Sequence, residues 1–301
     1  MINLLSDLKT DDLINNLREF SWEAAEIMLY YSQEIKNINN NSKFVKFKNN
    51  NEPVTLADLE VNRHIINRIN KKYPGLKWGF LSEENFQEVT YRKIDYEWTW
   101  VFDPLDGTKD FIQGTGNYAM HLALNYKNKP FIGVVLIPAR DELWISNGET
   151  ISCEDKSGHQ KNISLNTNKN LQEMTIVASK NHKDKYLTDL LSKIPCKKII
   201  SMGSIGCKIA TILRGESDLY IGLSDPDKGS PKDWDYAAPN AILKAAGGVI
   251  TNLKNEEIKY NKINLKQGGL IIASNNKFNH IYICDQIKNL INKYNLIPFE
   301  Y

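Results

Sequence analysis

Two aspartates, Asp103 and Asp106, stand three residues apart in the run Asp103-Pro-Leu-Asp-Gly-Thr108. They follow Trp98-Thr-Trp-Val-Phe102, an apolar stretch with the length and composition of a buried strand. Carboxylates at the end of such a strand lose water and repel each other, and a bound cation relieves both costs. Pro104 fixes φ and Gly107 permits a turn that other residues resist. The chain can therefore curl until both carboxylates and the Leu105 carbonyl face one point. Such hard oxygen ligands suit Mg²⁺. Thr108 adds a hydroxyl where the next segment opens as a helix, whose free N–H groups suit a phosphate. The plainer explanation of an Asp-x-x-Asp pair is a polar turn with a helix cap. Pro, Gly and Thr in these places argue against it.

Other acids sit where elements begin or end. Thr55-Leu-Ala-Asp58 has the form of a helix start, with Thr55 as N-cap and an acid three residues on. Glu83 and Glu84 follow a strand candidate. Asp235, in Lys232-Asp-Trp-Asp-Tyr-Ala-Ala238, opens a helix that ends at Ala246-Gly-Gly248. Singly, Asp58 and Asp235 are explained by the helix dipole, and the two glutamates by a solvated turn. Alongside Asp103 to Thr108 they read as one site.

The elements that must position these residues can be traced by period. Asp11 to Ile35 has helical spacing, with Leu13, Leu17, Phe20, Ala24, Ile27 and Met28 on one face. Asn37 to Asn51 reads as a polar loop beside the site, with a short strand around Phe44, Val45 and Phe47. A helix from Thr55 through Val61, Ile65 and Ile69 stops before Pro74-Gly75. Strand-like runs lie at Met120 to Tyr126, Phe131 to Ile137 and Glu142 to Ser146. Asn147 to Asn170 reads as a hairpin turn and a linker, the expected boundary between subdomains 1–165 and 166–301. Beyond it, strands and helices alternate to Ala273, the pattern of an α/β sheet covered by helices.

The 301 residues allow one large domain or two closely packed halves. With 38 basic against 36 acidic residues, the charge gives no case for nucleic acid. Lys43 to Lys48, with Phe44 and Phe47, has the flavour of a nucleic-acid contact but no supporting motif. No apolar run spans a bilayer and no signal peptide is evident. Cys153, Cys196, Cys207 and Cys284 lack metal-site spacing and read as reduced thiols of a cytoplasmic protein.

Taken in order, Val54-Thr-Leu-Ala-Asp58, Ser82-Glu-Glu84, Trp100-Val-Phe-Asp-Pro-Leu-Asp-Gly-Thr108 and Trp234-Asp-Tyr-Ala-Ala238 with Ala246-Gly-Gly248 resemble a known set of signatures. They are those of the Mg²⁺-dependent, lithium-sensitive phosphatases that include inositol monophosphatases and fructose-1,6-bisphosphatases. The resemblance implies an α/β fold whose helix and sheet layers alternate as an αβαβα sandwich. Asp103 to Phe111, Ala178-Ser-Lys-Asn-His-Lys183 and Gly203-Ser-Ile-Gly-Cys-Lys208 are more narrowly similar to 3′(2′),5′-bisphosphate nucleotidases. Ser204, Cys207, Asn181 and the stretch Asp225 to Lys232 depart from what is usual there.

That resemblance also implies roles. Glu83, Asp103 and the Leu105 carbonyl would hold one Mg²⁺, and Asp103, Asp106 and Asp235 a second, with Glu83 sharing a third. Thr108 would relay a proton from the attacking water to Asp58, with Glu84 orienting a ligand or a water. Gly107 and Thr108 would cradle the phosphate. His182, Gly203, Ser204, Gly206, Lys208 and Asp235 would bind the rest of the substrate, aided by Ser179 and Lys180. Without it, His182 reads as a surface histidine and Lys208 as a solvated helix position. The implied activity is removal of the 3′-phosphate of adenosine 3′,5′-bisphosphate, with 3′-phosphoadenylyl sulfate as a further substrate, in sulfur metabolism. An inositol- or sugar-phosphate monoesterase is the alternative. A silent fold that only binds would have lost a carboxylate, and none is missing. The partner is a small phosphorylated molecule, a nucleotide, and the chain works as a monomer or homodimer.

Overall fold

The computed structural model describes residues 8–37, 44–47, 53–86, 94–165, 169–180, 185–225 and 230–298. The first helix, α1 (Thr10–Asn37), buries Leu13, Leu17, Phe20, Ala24 and Met28 along one face. Asp11 and Asp12 at its start and Lys36 at its end complement its dipole. A ribbon of β1 (Val45–Phe47) antiparallel to β2 (Pro53–Thr55) then leads into α2 (Leu56–Lys72). Of the loop expected at Asn37 to Asn51, β1 is therefore a paired strand, and residues 38–43 and 48–51 lie outside the described residues.

Six strands build the first sheet, each beside the next in chain order. They are β3 (Gly79–Ser82), β4 (Trp98–Asp106), β5 (Ala119–Tyr126), β6 (Lys129–Ile137), β7 (Glu142–Ser146) and β8 (Ile151–Glu154). A short helix, α3 (Thr108–Ile112), joins β4 to β5. All nine residues of β4 are buried, because both faces of the sheet are covered. Trp98, Trp100 and Phe102 join the core under α1 and α2, and Val101 joins the core on the opposite face. In the sequence, β8 falls within the expected turn and linker. Four residues with two polar ones carry no pattern of their own, and pairing with β7 makes them a strand.

The second sheet has the order β10-β9-β11-β13-β12. Its elements run β9 (Thr175–Ser179), α4 (Lys185–Lys193), β10 (Lys198–Met202), α5 (Ile205–Leu213), β11 (Leu219–Ser224), α6 (Asp233–Ala245), β12 (Val249–Asn252), β13 (Gly269–Ser274) and α7 (Lys277–Tyr294). Strand β9 runs parallel to β10 and β11, while β13 is antiparallel to β11 and β12. Helix α7 lies beyond the last element expected from the sequence. It buries Ile283, Ile287 and Ile291 but exposes Phe278, Ile281 and Tyr282, so its apolar stripe is blurred.

Three cores separate the layers. One lies between α1/α2 and the first sheet, and a second holds α5 and α6 between the sheets. The third packs α4 and α7 on the outer face of the second sheet. The αβαβα order implied by the resemblance is the order observed. Close approach of α6 depends on Gly133 of β6, where a Cβ would fall 2.6 Å from Ala241 Cβ and 2.8 Å from the Ala238 carbonyl.

Candidate active site

By strand parity, Asp103 and Asp106 should face opposite sides of the sheet, because their separation is odd. A bulge corrects this. Asp103 pairs with His121 and Asp106 with Ala119, three residues of β4 against two of β5. Both carboxylates consequently point into the layer that contains α5 and α6. The Leu105 N–H donates to Asp103 Oδ1 at 2.9 Å, tightening the curl. Asp235 arrives from the first turn of α6, where its Oδ2 accepts the Lys232 N–H at 2.6 Å. One oxygen from each of Asp103, Asp106 and Asp235 lies within 4.8 Å of the others.

Strand β3 lies parallel to β4 with Ser82 opposite Phe102, so Glu83 emerges level with Asp103. Glu83 and Glu84 form a single 3₁₀ turn with Asn85. That turn is tied to α2 by Asn62, which accepts from Ser82 Oγ at 2.5 Å and donates to Asn85 Oδ1 at 2.9 Å. Burial, then Glu83, Asp106 and Asp235, push the Asp103 carboxyl well above the usual carboxylate range. Carboxylates crowded this way, with hard oxygens and little water, are a donor set that fits a small divalent cation.

Asp58 is fixed from below by Thr55, whose N–H and hydroxyl both donate to Oδ2, at 2.8 and 2.5 Å. The same hydroxyl accepts from the Ala57 N–H, capping α2 as the sequence indicated. This leaves Asp58 Oδ1 turned to Thr108, whose Oγ1 is 3.5 Å away and 3.2 Å from the Leu105 carbonyl. Burial, reinforced by Glu83 and Glu84 and opposed by Thr55, pushes the Asp58 carboxyl up to about 7. Gly107 adopts φ +89°, and a Cβ there would meet the Asn117 carbonyl at 2.9 Å and Ser204 Cβ at 3.2 Å. Glycine is thus required twice, for conformation and for space.

Ser204 and Gly206, expected to contact substrate, are buried and bound to Asp106. Asp106 Oδ2 accepts the Ser204 hydroxyl at 2.7 Å, the Ile205 N–H, and the Gly206 N–H at 3.4 Å. Lys208 is also buried rather than solvated. Its ammonium donates to the Gly203 carbonyl at 2.9 Å, stands 5.3 Å above the Tyr220 ring, and feels Asp106 and Asp235. Burial pushes it down to about 8, against the pull of those carboxylates. His182 lies outside the described residues, as do 226–229 of the Asp225 to Lys232 stretch. Lys180 closes the end of β9 onto α3, where it meets buried Asp110 at 3.3 Å and Gln113 at 2.8 Å. On the far wall, Phe86 packs edge-on against Trp234, with Lys232 over its ring.

Sequence reasoning missed Asn62 and His121. Neither belongs to a recognisable motif, and each acts on residues that only the fold brings near.

A phosphatase-like centre is what this geometry describes, and its lineage is definite. The chain belongs to the inositol monophosphatase family, whose model matches residues 9–292. The family is metal-dependent, in keeping with the Asp103, Asp106 and Asp235 cluster. Among curated proteins it is 30% identical over 254 residues to the 3′(2′),5′-bisphosphate nucleotidase CysQ of Buchnera aphidicola, covering 83% of this chain and 91% of that one. Its fold matches an IMPase of Thermotoga maritima with a TM-score of 0.73 at 20% identity, over 94% and 99% of the two chains. CysQ from Bacteroides thetaiotaomicron matches with a TM-score of 0.66 at 25% identity, over 87% and 98%. Among the described residues, no helix is long and apolar enough to cross a membrane.

Proposed function

We propose that this protein is a Mg²⁺-dependent phosphatase that converts adenosine 3′,5′-bisphosphate to AMP and phosphate, and that it also accepts 3′-phosphoadenylyl sulfate. The observation that carries the reading is the convergence of Asp103, Asp106 and Asp235 beside the Thr108–Asp58 pair. The substrate follows from the relatives named bisphosphate nucleotidase. Such an enzyme disposes of the by-product of sulfate activation. It would do so in the cytoplasm, consistent with four free cysteines, three of them buried.

Glu83, Asp103 and the Leu105 carbonyl would hold one Mg²⁺, and Asp103, Asp106 and Asp235 another, with Glu83 sharing a third. Bound there, Mg²⁺ neutralises phosphate charge and acidifies water. Thr108 Oγ1 orients the attacking water and passes its proton to Asp58 Oδ1, which suits a carboxyl raised by burial. The N–H groups of Gly107 and Thr108 receive phosphate oxygens, and Glu84 orients the groups around Asp58. Residues 1–165 supply most of the metal-binding and proton-transfer groups. Residues 166–301 supply Asp235 and the specificity residues, with Lys208 and His182 as candidates for the second phosphate. Lys208 is supported by lying close enough to feel the charge of Asp106 and Asp235.

The decisive experiment compares Mg²⁺-dependent phosphate release from adenosine 3′,5′-bisphosphate, inositol 1-phosphate and fructose 1,6-bisphosphate at equal concentrations. At least about tenfold preference in kcat/KM for the nucleotide, about 1.4 kcal/mol, is expected. Preference for either other substrate keeps the metal chemistry and overturns the nucleotide assignment.

A further inference from the structure

We propose that His121 is a positioning residue of the metal centre, locking the start of α5 against Asp106 so that Asp106 presents Oδ1 alone to the cation. The inference rests on the metal-dependent reading given above.

His121 is fully buried on β5, directly opposite Asp103 in the ladder. Its Nε2 accepts the Gly206 N–H at 3.1 Å, so that nitrogen carries a lone pair and the ring proton sits on Nδ1. Nε2 is also 3.3 Å from Asp106 Oδ2. Two acceptors that close repel unless a donor lies between them. The Gly206 N–H, 3.4 Å from Oδ2, is shared by both and is that donor. Together with Ser204 and Ile205 it fills Oδ2, and Oδ1 is left to turn outward.

Glycine at position 206 is what allows the contact. A Cβ there would lie 2.2 Å from Nε2 and 2.8 Å from Val135 Cγ1. The other ring nitrogen, Nδ1, is buried without a hydrogen bond of ordinary geometry, and the Trp234 backbone interacts with the ring and favours its proton. A donor met so loosely is costly, and it persists only where surrounding structure holds the ring. Trp234 precedes Asp235, so one imidazole touches or faces the segments that carry Asp103, Asp106 and Asp235. Fixing a ligand before the cation arrives is how outer residues raise metal affinity.

The test titrates the full-length protein with MgCl₂ alone in a calorimeter. His121→Leu is expected to bind Mg²⁺ about tenfold more weakly than wild type, while His121→Gln, whose Oε1 can take the Gly206 N–H, stays within about twofold. At saturating Mg²⁺ the KM for the bisphosphate should be unchanged in both. A folded Leu variant with wild-type affinity, or equal losses in the Leu and Gln variants, would overturn the proposal. If wild type itself does not bind Mg²⁺, the parent reading is what fails. A second measurement needs no variant. NMR of the ring nitrogens should find the proton on Nδ1, and an Nε2–H ring donating to Asp106 would refute the arrangement.

Discussion

Asp103 bears a heavy electrostatic load, since burial and three neighbouring carboxylates all disfavour its charge. Asparagine removes that charge and leaves only one neutral, weaker oxygen for the cation. Metal-free Asp103→Asn should therefore melt above the metal-free wild type, while its phosphate release falls to background; calorimetry and a phosphate assay read the two effects. Thr108 has a narrower task. Thr108→Ala should bind Mg²⁺ normally and lose about 10²–10⁴ in kcat, the usual span for a proton-transfer group. Lys208 is buried, so its charge is best removed without emptying its volume. Lys208→Met should raise KM for the bisphosphate and leave a simple monophosphate almost unaffected. Equal effects on both would remove it from any specificity role.

At the level of elements, α6 matters because it carries Asp235 across to a strand built far earlier in the chain. Its seat on the sheet is set by Gly133 under Ala238 and Ala241. Gly133→Ala should push the helix outward, costing about 1–3 kcal/mol of stability and weakening Mg²⁺ binding, both measurable in one melting series with and without the ion. Helix α7 is attached differently. Its buried His280 bonds Thr251 on β12 at 2.7 Å and Ser274 on β13 at 2.8 Å, and burial pushes the ring down to about 4. The unfolded ring takes a proton near 6.5, so the folded state keeps its full advantage above that pH and loses it as pH falls toward 4. Relative to His280→Gln, wild type should lose about 3 kcal/mol across that window, read by urea unfolding at the two ends.

For the whole molecule, the site joins groups from β4 of the first sheet, from α2 on one side of it and from α6 on the other, so metal occupancy and global stability are linked. Mg²⁺ at about 100 times its dissociation constant should add about 2.7 kcal/mol, and a chelator should remove it. A melting temperature indifferent to both would contradict a metal centre in the folded state. The family resemblance implies inhibition by lithium, to be checked as lower turnover at fixed Mg²⁺.

What the sequence determined by itself was chemistry written in local order. The cap at Thr55 with Asp58, the Pro and Gly that bracket Asp106, and the alternation of strands and helices were legible because turns, caps and periods depend on near neighbours. The α/β class followed from the same signals, and the αβαβα layering from the family resemblance. The facing of Asp103 and Asp106 was not legible, since a bulge is a mismatch between two strands and has no existence in one. Strand β8 exists only through β7, and α7 shows its stripe only against the sheet it covers. Ser204, Gly206 and Lys208 read as substrate contacts in the sequence, and nothing local showed that their polar atoms also bind Asp106 and Gly203. Tertiary structure alone decided that, and it alone set a lone histidine on an apolar strand against a metal-binding carboxylate. A buried polar group must find its partner wherever the packed chain provides one.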